Sequence, residues 1–402
     1  MAKDRKLGRI KFVKFRDLIS GIALCIVFIP ALIAKIFIRD FWLVCEAENE
    51  ARDNGYWFFK FVRENHSRQK IAYAINKKSP DYLKVKNIGK VIKYGSLSHW
   101  FWYLVADKNI SSQKGCNPNS AVCYLFEVVL KMRKNNRIFL QHGVIINDIP
   151  RLYYNDTYMR LFVTSSIQEH EFIKQKFGYP DRYVQLLGLP RFDNLNNQNL
   201  KADQILVMPT WRHWIAREED CLKFEGTKIF TETEYYKNWL AFLQSKKLDE
   251  WLTKNKKKII FYPHRNMQKY LSAFKTESKN ITVASVNEYD VQTLLKESSI
   301  LITDYSSVFF DFAYLEKPVI FYQFDEEKFR EGQFSQGWFD YKSNDLSLWS
   351  KTLDEVLQNL DLVVDKQSDL KLNMSKYFKY SDNKNCERVY LAIKNIKNRR
   401  KK

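Results

Sequence analysis

The stretch ITDYSSVFFDFAYLEKPVIFY, residues 302–322, contains two short apolar runs separated by a segment of helical length. A strand, a tight corner, a short helix and a second strand in this order are typical of a parallel α/β sheet. The corner places Ser306 and Ser307 where the helix should begin. A serine at such a position either caps the helix or helps to hold a phosphate at its N-terminus.

Ser166 provides an internal comparison for these two serines. It is followed three residues later by Glu169, which completes a capping box, so we interpret Ser166 as structural. Ser306 and Ser307 are followed at the same spacing by phenylalanines, so no side chain returns to the helix start. The N–H groups and the helix dipole then favour a phosphate, with Asp311 on the same face within reach of a ribose hydroxyl. An ordinary cap is the alternative interpretation.

Short apolar runs and amphipathic stretches alternate along the rest of the chain. We predict strands at residues 41–46, 70–75, 91–95, 101–107, 137–141, 161–165, 183–188, 204–209, 258–263, 281–285, 299–304 and 318–323. Continuous apolar strands alternating with helices indicate parallel sheets that are covered on both faces. Two such halves, joined near residue 197, predict two Rossmann-like domains that face one another.

The predicted organisation has four parts. They are a basic and apolar membrane-associating segment at residues 1–40, an N-terminal Rossmann-like domain at 41–197, a C-terminal Rossmann-like domain at 198–375, and a helix with a basic tail at 376–402.

The net charge of +20 is concentrated at the two ends of the chain. Residues 1–39 hold nine Lys/Arg and two Asp, and residues 388–402 hold seven Lys/Arg and no acid, so each end has a net charge of +7. Basic ends of this kind fit an anionic membrane surface, at ~1 kcal/mol for each Lys or Arg near it. A nucleic-acid-binding protein would more often spread its basic residues over a folded face, so we predict no nucleic-acid partner.

Residues 18–34 form an uncharged apolar run of 17 residues that is interrupted by Pro30. A spanning helix needs about 20 apolar residues, so the run favours a monotopic or re-entrant segment over a spanning helix or a buried helix. The six cysteines are scattered without a CxxC pair, which fits neither a disulfide framework nor a zinc site. A reducing, cytoplasmic setting follows from that spacing.

Polar residues stand where several of the predicted strands end, and ligands of open parallel sheets bind at those ends. The residues are His142, Gly143, Arg212, His264, Arg265, Asp304, Tyr305, Ser306 and Ser307. Each has an ordinary structural reading when it is taken alone, and only their coincidence indicates a site.

The residue types at these strand ends fit transfer chemistry on a phosphate. His142 is suited to take a proton from an attacking hydroxyl, and Gly143 lets the backbone approach a ligand. His264 and Arg265 offer donors to charge that develops on a phosphate. The chain has no GxGxxG, Walker or HExxH motif, so dinucleotide, P-loop and zincin functions have no support.

Several blocks of sequence, in order, resemble the CDP-glycerol glycerophosphotransferase family, bacterial enzymes that transfer polyol phosphates onto teichoic-acid or capsule chains. The blocks are WLVCEAENEARDNGYWFFKFVREN (42–65), LQHGVIINDIP (140–150), GLPRFDNL (188–195), MPTWR (208–212), YPHR (262–265) and the opening stretch. The resemblance implies a GT-B fold whose C-terminal half binds the donor nucleotide in a cleft, with the acceptor on the N-terminal side. It also implies a place on the cytoplasmic face of the bacterial membrane, peripheral or monotopic.

The family motifs imply roles for individual residues. His142 takes the place of the general base, and His264 that of a second histidine acting on the donor pyrophosphate. The Asp304–Tyr305–Ser306–Ser307 block would contact the donor phosphates, with Asp311 further along the helix.

We therefore expect a CDP-glycerol or CDP-ribitol phosphotransferase that acts on a hydroxyl of a lipid-linked saccharide or a growing polymer and releases CMP. His142 would take the hydroxyl proton, while the serines, His264 and Arg212 or Arg265 stabilise the pyrophosphate; such chemistry needs no protein nucleophile. We expect no tightly bound cofactor, with Mg²⁺ on the substrate phosphates and an oligomer both left open. The alternatives are a GT-B glycosyltransferase that uses a nucleotide sugar, and a non-catalytic nucleotide-binding protein at the membrane surface.

Overall fold

The computed structural model describes residues 14–132, 136–195, 199–216, 230–344, 347–365 and 374–397. The basic ends at residues 1–13 and 398–402, the predicted junction at residue 197 and Cys221 lie outside these described residues. The chain forms two compact units. The first comprises the described residues of Met1–His142, Pro150–Asn194 and Asp382–Lys402, and the second those of Gly143–Ile149 and Leu195–Ser381. In this division residues 143–149 group with the second unit, and the described residues from Asp382 onward group with the first.

Each unit is built on a parallel sheet. The first sheet has the order β3-β2-β1-β4-β5-β6-β7 and the second the order β10-β9-β8-β11-β12-β13 within the described residues. The strands are β1 Trp42–Cys45, β2 Ile71–Ile75, β3 Lys90–Lys93, β4 Lys108–Ser111, β5 Asn136–Phe139, β6 Leu161–Thr164, β7 Val184–Leu186, β8 Lys201–Met208, β9 Lys258–Phe261, β10 Ile281–Val283, β11 Ser298–Thr303, β12 Val319–Tyr322 and β13 Leu348–Ser350. In both sheets the first strand lies between the second and the fourth, which is the Rossmann order. The predicted pair of Rossmann-like domains is confirmed.

Helices connect the strands and cover the sheets. The α-helices are α1 Phe15–Phe37, α2 Asn54–Asn65, α3 Tyr82–Lys86, α4 Leu97–Val105, α5 Ser120–Tyr124, α6 Tyr154–Thr157, α7 Ile167–Lys176, α8 His213–Ala216, α9 Glu234–Leu243, α10 Lys246–Lys254, α11 Val291–Glu297, α12 Phe309–Tyr314, α13 Glu326–Gly332, α14 Leu353–Asp365 and α15 Asn385–Lys394. A π-helix at Leu125–Val129 continues α5, and 3₁₀ helices lie at Pro150–Leu152, Pro190–Asn194, Arg265–Ala273 and Met374–Lys376.

The first sheet has a core on each face because successive strand residues point to opposite sides. Trp42 and Val44 of β1 pack with α2 and α15, whereas Leu43 packs with α1 and α4. Helix α15 is the last helix among the described residues, yet Val389 and Ile393 are fully buried in the first unit. The core of the first unit is therefore completed by residues from the far end of the sequence.

The predicted strand at residues 101–107 is wrong, because residues 101–105 belong to α4 and Ala106 is its C-cap. The Ser96 side chain accepts a hydrogen bond from His99 N and begins the helix. Trp100 and Tyr103 lie between the sheet and α1, and the Trp100 indole N–H donates to Ser20 Oγ at 2.9 Å. A helix buried on two sides is apolar around most of its circumference and so resembles a buried strand in sequence.

Helix α1 has one face packed on the first unit and one face exposed. Leu24, Val27 and Ala31 are buried, and Lys35 Nζ donates to the carbonyls of Leu104 and Ala106. The exposed large apolar residues of α1 are Phe15, Leu18, Ile19, Ile22, Ile26, Ile29, Ile33, Ile36 and Phe37. By length and composition α1 is long and apolar enough to cross a membrane, and it is the one such helix among the described residues.

Candidate active site

The candidate catalytic group lies at the carboxyl edge of the first sheet. From β1 the strand order runs to β2 and β3 on one side, and from β4 it runs to β5, β6 and β7 on the other. The carboxyl ends of β1 and β4 therefore flank a topological switch point, where ligands of such sheets bind. Glu46 follows β1, Ser112 follows β4 and His142 comes shortly after β5. The loop after Glu46 leads into α2, which starts beside them.

His142 forms an ion pair with Asp53, the residue before α2. His142 Nδ1 lies 2.5 Å from Asp53 Oδ2, and the other carboxylate oxygen of Asp53 lies 2.7 Å from Arg191 Nη1. Arg191 Nη1 also donates to the backbone carbonyl of His142 at 2.6 Å. Asp53 and Arg191 are mostly buried, whereas the His142 side chain is 63% exposed. The carboxylate fixes the imidazole orientation and leaves Nε2 towards solvent.

The backbone before His142 is held in an unusual conformation. Gln141 has a φ of 67° and is fully buried. Its carbonyl accepts from Asn54 Nδ2 at 2.8 Å, and its own Nε2 donates to Glu169 Oε1 at 3.0 Å. A non-glycine residue in the left-handed region persists only where its surroundings over-determine it. This turn places His142 at the edge of the sheet, while the side chain of Gln141 is held in the core.

The pKa values of His142 and Asp53 are shifted in opposite directions, as is expected for an ion pair. The Asp53 carboxylate raises the pKa of His142 above its ordinary value, although partial desolvation opposes it. Burial works against ionisation of Asp53, but His142 and Arg191 outweigh it and hold the pKa of Asp53 below its usual range. Both effects favour the charged pair over the neutral one.

Glu46 lies behind this pair and anchors the start of α2. Its carboxylate accepts from the backbone N–H groups of Arg52 at 3.0 Å, Asp53 at 3.2 Å and Tyr56 at 2.7 Å. It is 1% exposed, and burial together with the nearby Asp53 carboxylate raises the pKa of Glu46 to about 7. Glu46 therefore holds the backbone of the residue that orients His142.

In the second unit the switch point lies between β8 and β11, and buried ion pairs join the two strand ends. Arg212 Nη2 lies 2.9 Å from Asp304 Oδ2, and Arg212 Nε lies 2.8 Å from Asp325 Oδ2. Asp304 also accepts from Thr210 N at 2.7 Å, and the Tyr305 hydroxyl donates to Asp325 at 3.2 Å. This network ties the ends of β8, β11 and β12 together.

The residues of that network are buried. Arg212 and Asp304 are fully buried and Tyr305 is 2% exposed. Arg212 meets two carboxylates at once through charge-assisted contacts, and the donor contacts expected of Arg212, Asp304 and Tyr305 stay predictions. Asp311, expected near a ribose, is likewise buried at 1% exposure.

Ser306 and Ser307 are half-buried at the corner after β11. Ser306 Oγ accepts from Val308 N at 3.3 Å. Helix α12 begins at Phe309, two residues beyond Ser307, with Val308 as its N-cap, and the cap residue makes no side-chain hydrogen bond. The phosphate contact itself stays a prediction.

His264 and Arg265 follow β9, the neighbour of β8 on its other side. His264 is partly exposed, its Nδ1 accepts from Asn266 N at 3.2 Å, and its ring centroid lies 6.2 Å from that of Trp211. Arg265 is exposed. The structure thus places His264, Arg265 and the two serines at the same carboxyl edge of the second sheet, and His142 in the other unit. Within the described residues no group of three or more His, Cys, Asp or Glu could hold a metal ion.

Three residues of the candidate site were not recognised from the sequence: Glu46, Asp53 and Arg191. Each lies inside a block that carried the family resemblance. An acid followed by Asn-Gly at a helix start reads as an ordinary cap, and Asp53 does accept a hydrogen bond from Asn54 N. Its second role with His142 depends on a contact across 89 residues, which no local pattern reveals.

Comparison with known proteins agrees with the fold and with the motifs. The family model for CDP-Glycerol:Poly(glycerophosphate) glycerophosphotransferase matches residues 39–395. The minor teichoic acid biosynthesis protein GgaB of Bacillus subtilis (strain 168) is 31% identical over 381 residues, which cover 90% of this chain and 40% of GgaB. A teichoic acid poly(glycerol phosphate) polymerase of Bacillus spizizenii is 23% identical over 327 residues, covering 75% of this chain and 77% of that protein. This chain thus spans well under half the length of GgaB.

Solved structures support the same architecture. The wall teichoic acid polymerase TagF matches with a TM-score of 0.64 and 17% identity over 88% of this chain and 89% of that chain. A UDP-GlcNAc 2-epimerase of Methanocaldococcus jannaschii matches with a TM-score of 0.52 and 13% identity over 88% of this chain and 99% of that chain. At these identities the likeness shows the GT-B-like fold alone. The match over residues 39–395 shows that the chain belongs to the CDP-glycerol:poly(glycerophosphate) glycerophosphotransferase family.

Proposed function

We propose that this chain transfers a polyol phosphate from a CDP-polyol donor to a hydroxyl of a lipid-linked saccharide or a growing teichoic-acid or capsule polymer, and releases CMP. The observation that carries the proposal is the His142–Asp53 pair at the switch point of the first sheet. An imidazole whose Nδ1 is held by a carboxylate is oriented to accept a proton at Nε2. Family membership supplies the class of donor.

In the proposed reaction His142 Nε2 takes the proton of the acceptor hydroxyl. The hydroxyl oxygen then forms a bond to the β-phosphorus of the donor, the bond from this phosphorus to the bridging oxygen breaks, and CMP leaves with that oxygen. Asp53 stabilises the imidazolium that forms, and Arg191 holds Asp53 in place. No residue of the chain becomes covalently modified, in keeping with phosphoryl transfer by positioning and charge stabilisation.

We assign donor contacts to His264, Arg265, Ser306 and Ser307, because these residues are at least partly exposed at the carboxyl edge of the second sheet. The buried Arg212 acts indirectly, since its two ion pairs hold the strand ends on which Ser306 and Thr210 are carried. Mg²⁺, where it takes part, would enter with the donor phosphates and neutralise their charge.

The polyol is glycerol or ribitol, because relatives of both kinds match this chain. They include the poly(glycerol phosphate) polymerase described above and the ribitol-phosphate polymerase TarL of Staphylococcus aureus, which is 24% identical over 255 residues. A decisive test incubates the purified protein with CDP-glycerol, CDP-ribitol or UDP-sugars and a membrane-lipid acceptor extract. We expect CMP release from one CDP-polyol, its loss in His142→Ala and His264→Ala, and its retention in the control His170→Gln. Release of UDP instead would make the protein a nucleotide-sugar glycosyltransferase, and CDP binding without turnover by the complete mixture would favour a binding protein.

We also propose that α1 attaches the protein to the cytoplasmic face of the membrane in a monotopic manner. Its buried stripe is joined to the first unit by the Trp100–Ser20 hydrogen bond and by one between Asn119 and Asp17. A helix packed lengthwise on a folded unit, with its outer face apolar, fits a helix that lies in the interface plane. Flotation with neutral vesicles tests this, and Ile22→Asn with Ile29→Asn should abolish it.

A further inference from the structure

The chain passes from the first unit to the second directly after His142. Residues Gly143–Ile149 group with the second unit, and the chain returns to the first unit at Pro150. Residues 144–147 are buried, although they belong to no helix or strand. Irregular backbone can be buried only where its polar groups find partners. The placement of this segment, 143–149, therefore depends on what the second unit offers it.

Two long side chains of the second unit donate hydrogen bonds to segment 143–149. The Trp338 indole N–H donates to the carbonyl of Ile145 at 2.8 Å. Arg330 Nη1 donates to Asn147 Oδ1 at 2.9 Å. One bond fixes the backbone and the other fixes a side chain, so the middle of the segment is held at two points.

Backbone contacts hold the same segment. Asp148 N donates to the carbonyl of Ser335 at 3.3 Å, which forms a short antiparallel bridge. Gly337 lies so close that a Cβ on it would meet the carbonyl oxygen of Ile146 and would lie 2.8 Å from the Cα atom of Asn147. Only a residue without a Cβ lets two backbones approach in this way. The segment is therefore fitted against backbone as well as against side chains.

Trp338 is itself placed by the residues around the corner that carries Ser306 and Ser307. Its ring centroid lies 5.8 Å from that of Phe310 and 5.6 Å from that of Phe339. Phe310 is fully buried in α12, the helix that follows the two serines. Trp338 thus contacts segment 143–149 through its N–H group and α12 through its ring.

His142 is held on its N-terminal side by the buried Gln141 and on its ring by Asp53, as described above. On its C-terminal side the chain runs into segment 143–149, and Ile145 follows only three residues later. Peptide units are planar, so a displacement of Ile145 is passed along few rotatable bonds. A misplacement of about 1 Å can cost a reaction about 100-fold in rate.

We propose that Trp338 is a positioning residue for His142 and acts through segment 143–149. The inference rests on the proposed function, in which His142 is the base. It goes beyond that function because it gives the second unit, to which the donor contacts are assigned, a part in placing the base. Trp338 itself contacts no reacting atom in this role.

The test replaces Trp338 with phenylalanine, which keeps an aromatic ring beside Phe310 and removes the N–H donor. Trp338→Phe should lower kcat for CMP release by about 10- to 100-fold and change the donor KM by less than about twofold. Hydrogen exchange of residues 143–149 in the ligand-free protein should become about fivefold faster, because one hydrogen bond is lost. Trp251→Phe is the matched control, since it removes an indole hydrogen bond to Asp361 in the same unit and should change neither quantity.

Gly337→Ala is an independent second variant, because it keeps the indole and displaces the segment directly. It should lower kcat and speed exchange of residues 143–149 as Trp338→Phe does. Faster exchange without a loss of kcat would overturn the proposal, and so would a loss of kcat without faster exchange. An equal loss of kcat in Trp251→Phe would overturn it in favour of general loosening of the second unit.

A wild-type protein that released no CMP from any donor would contradict the proposed function instead. The placement of His142 can then be measured by NMR titration of its ring. In Trp338→Phe we expect the pKa of His142 to move from its raised value towards the ordinary one, because the contact with Asp53 is weakened. An unchanged titration would overturn the inference independently of turnover.

Discussion

Asp53 lies between two cationic partners and divides its carboxylate oxygens between them, with Oδ2 on His142 Nδ1 and Oδ1 on Arg191 Nη1. Arg191 in turn donates to the carbonyl of His142. The imidazole is therefore fixed at its ring and at its backbone by the same pair of side chains. If His142 is the base, its reactivity depends on Asp53 more than on any other neighbour.

Asp53→Asn should lower kcat by about 100- to 10,000-fold, the range over which a positioned general base acts. An asparagine NH₂ group can donate to Nδ1 and so favours the wrong tautomer, and the amide lacks the negative charge that stabilises the imidazolium. Asparagine also caps helices well, so the start of α2 should be kept, but the loss of the ion pairs with His142 and Arg191 should lower the melting temperature. Single-turnover CMP release measures the effect, with the exposed Asp181→Asn as control. An unchanged kcat would contradict the proposed catalytic role of the His142–Asp53 pair.

The acid limb of the pH–rate profile should lie above the ordinary histidine pKa, because Asp53 raises the pKa of His142 and only the neutral imidazole can accept a proton. In Asp53→Asn this limb should move to lower pH while the maximum rate falls. The same pair stabilises the fold fully between about pH 4 and 6.5. This stability is lost as the pH rises through the raised pKa of His142 and as it falls through the lowered pKa of Asp53. Profiles of kcat/KM from pH 5 to 9 test the shift, and a limb that stays in place in the variant would contradict it.

Glu46→Gln should flatten the dependence of stability on pH. The pKa of Glu46 is raised to about 7, so between about pH 4.5 and 7 the folded state binds more protons than the unfolded state. Stability therefore falls as the pH rises through this window, and a glutamine removes that contribution. Denaturant titrations at pH 5 and pH 7.5 measure it, with the exposed Glu48→Gln as control.

Glu46→Ala should destabilise the protein by about 1–3 kcal/mol, since it leaves the N–H groups at the start of α2 without their acceptor. The loss should come with reduced kcat because Asp53 is one of those donors. A variant with normal stability and normal kcat would show that the start of α2 does not depend on Glu46.

Arg212→Gln and Arg265→Gln should separate structure from ligand binding. Arg212→Gln leaves two buried carboxylates without their cation, at a cost of about 3–5 kcal/mol in unfolding free energy. Arg265 is exposed, so its replacement should leave stability within about 0.5 kcal/mol and raise KM for the donor. Thermal melts measure the stability of each variant, and donor titrations measure its KM. A stable Arg212→Gln variant with a raised KM for the donor would indicate that Arg212 binds the donor.

The sequence was most informative where patterning is local. Apolar runs predicted the Rossmann-like sheets, and the Ser166 capping box was identified correctly, with Ser166 Oγ accepting from Glu169 N. The segment before β4 was misread because α4 is enclosed by the sheet and by α1. Strand β4 itself was missed, since its sequence KNIS is polar although fully buried.

The site residues also differ in how far the sequence reveals them. His142, His264 and the two serines are polar residues at the ends of strands, and this pattern can be detected in the sequence alone. Arg212 looks the same in sequence, but its burial depends on Asp325, 113 residues away. Asp53 and Arg191 were missed for the same reason, because their function follows from tertiary pairing rather than from spacing.

Helix α15 has a consequence for how the protein is made. The helix seals the core of the first unit, where Lys108 Nζ donates to the carbonyl of Ile396 at 2.6 Å and Asp193 accepts from the N–H groups of Asn385 and Cys386. During synthesis at about 5–20 residues per second, roughly 10–40 s pass between the emergence of residue 194 and that of α15. The second unit is therefore complete before the first, whose core is closed only once α15 has been made. A nascent chain stalled before residue 385 should expose the apolar surface of the first unit to chaperones.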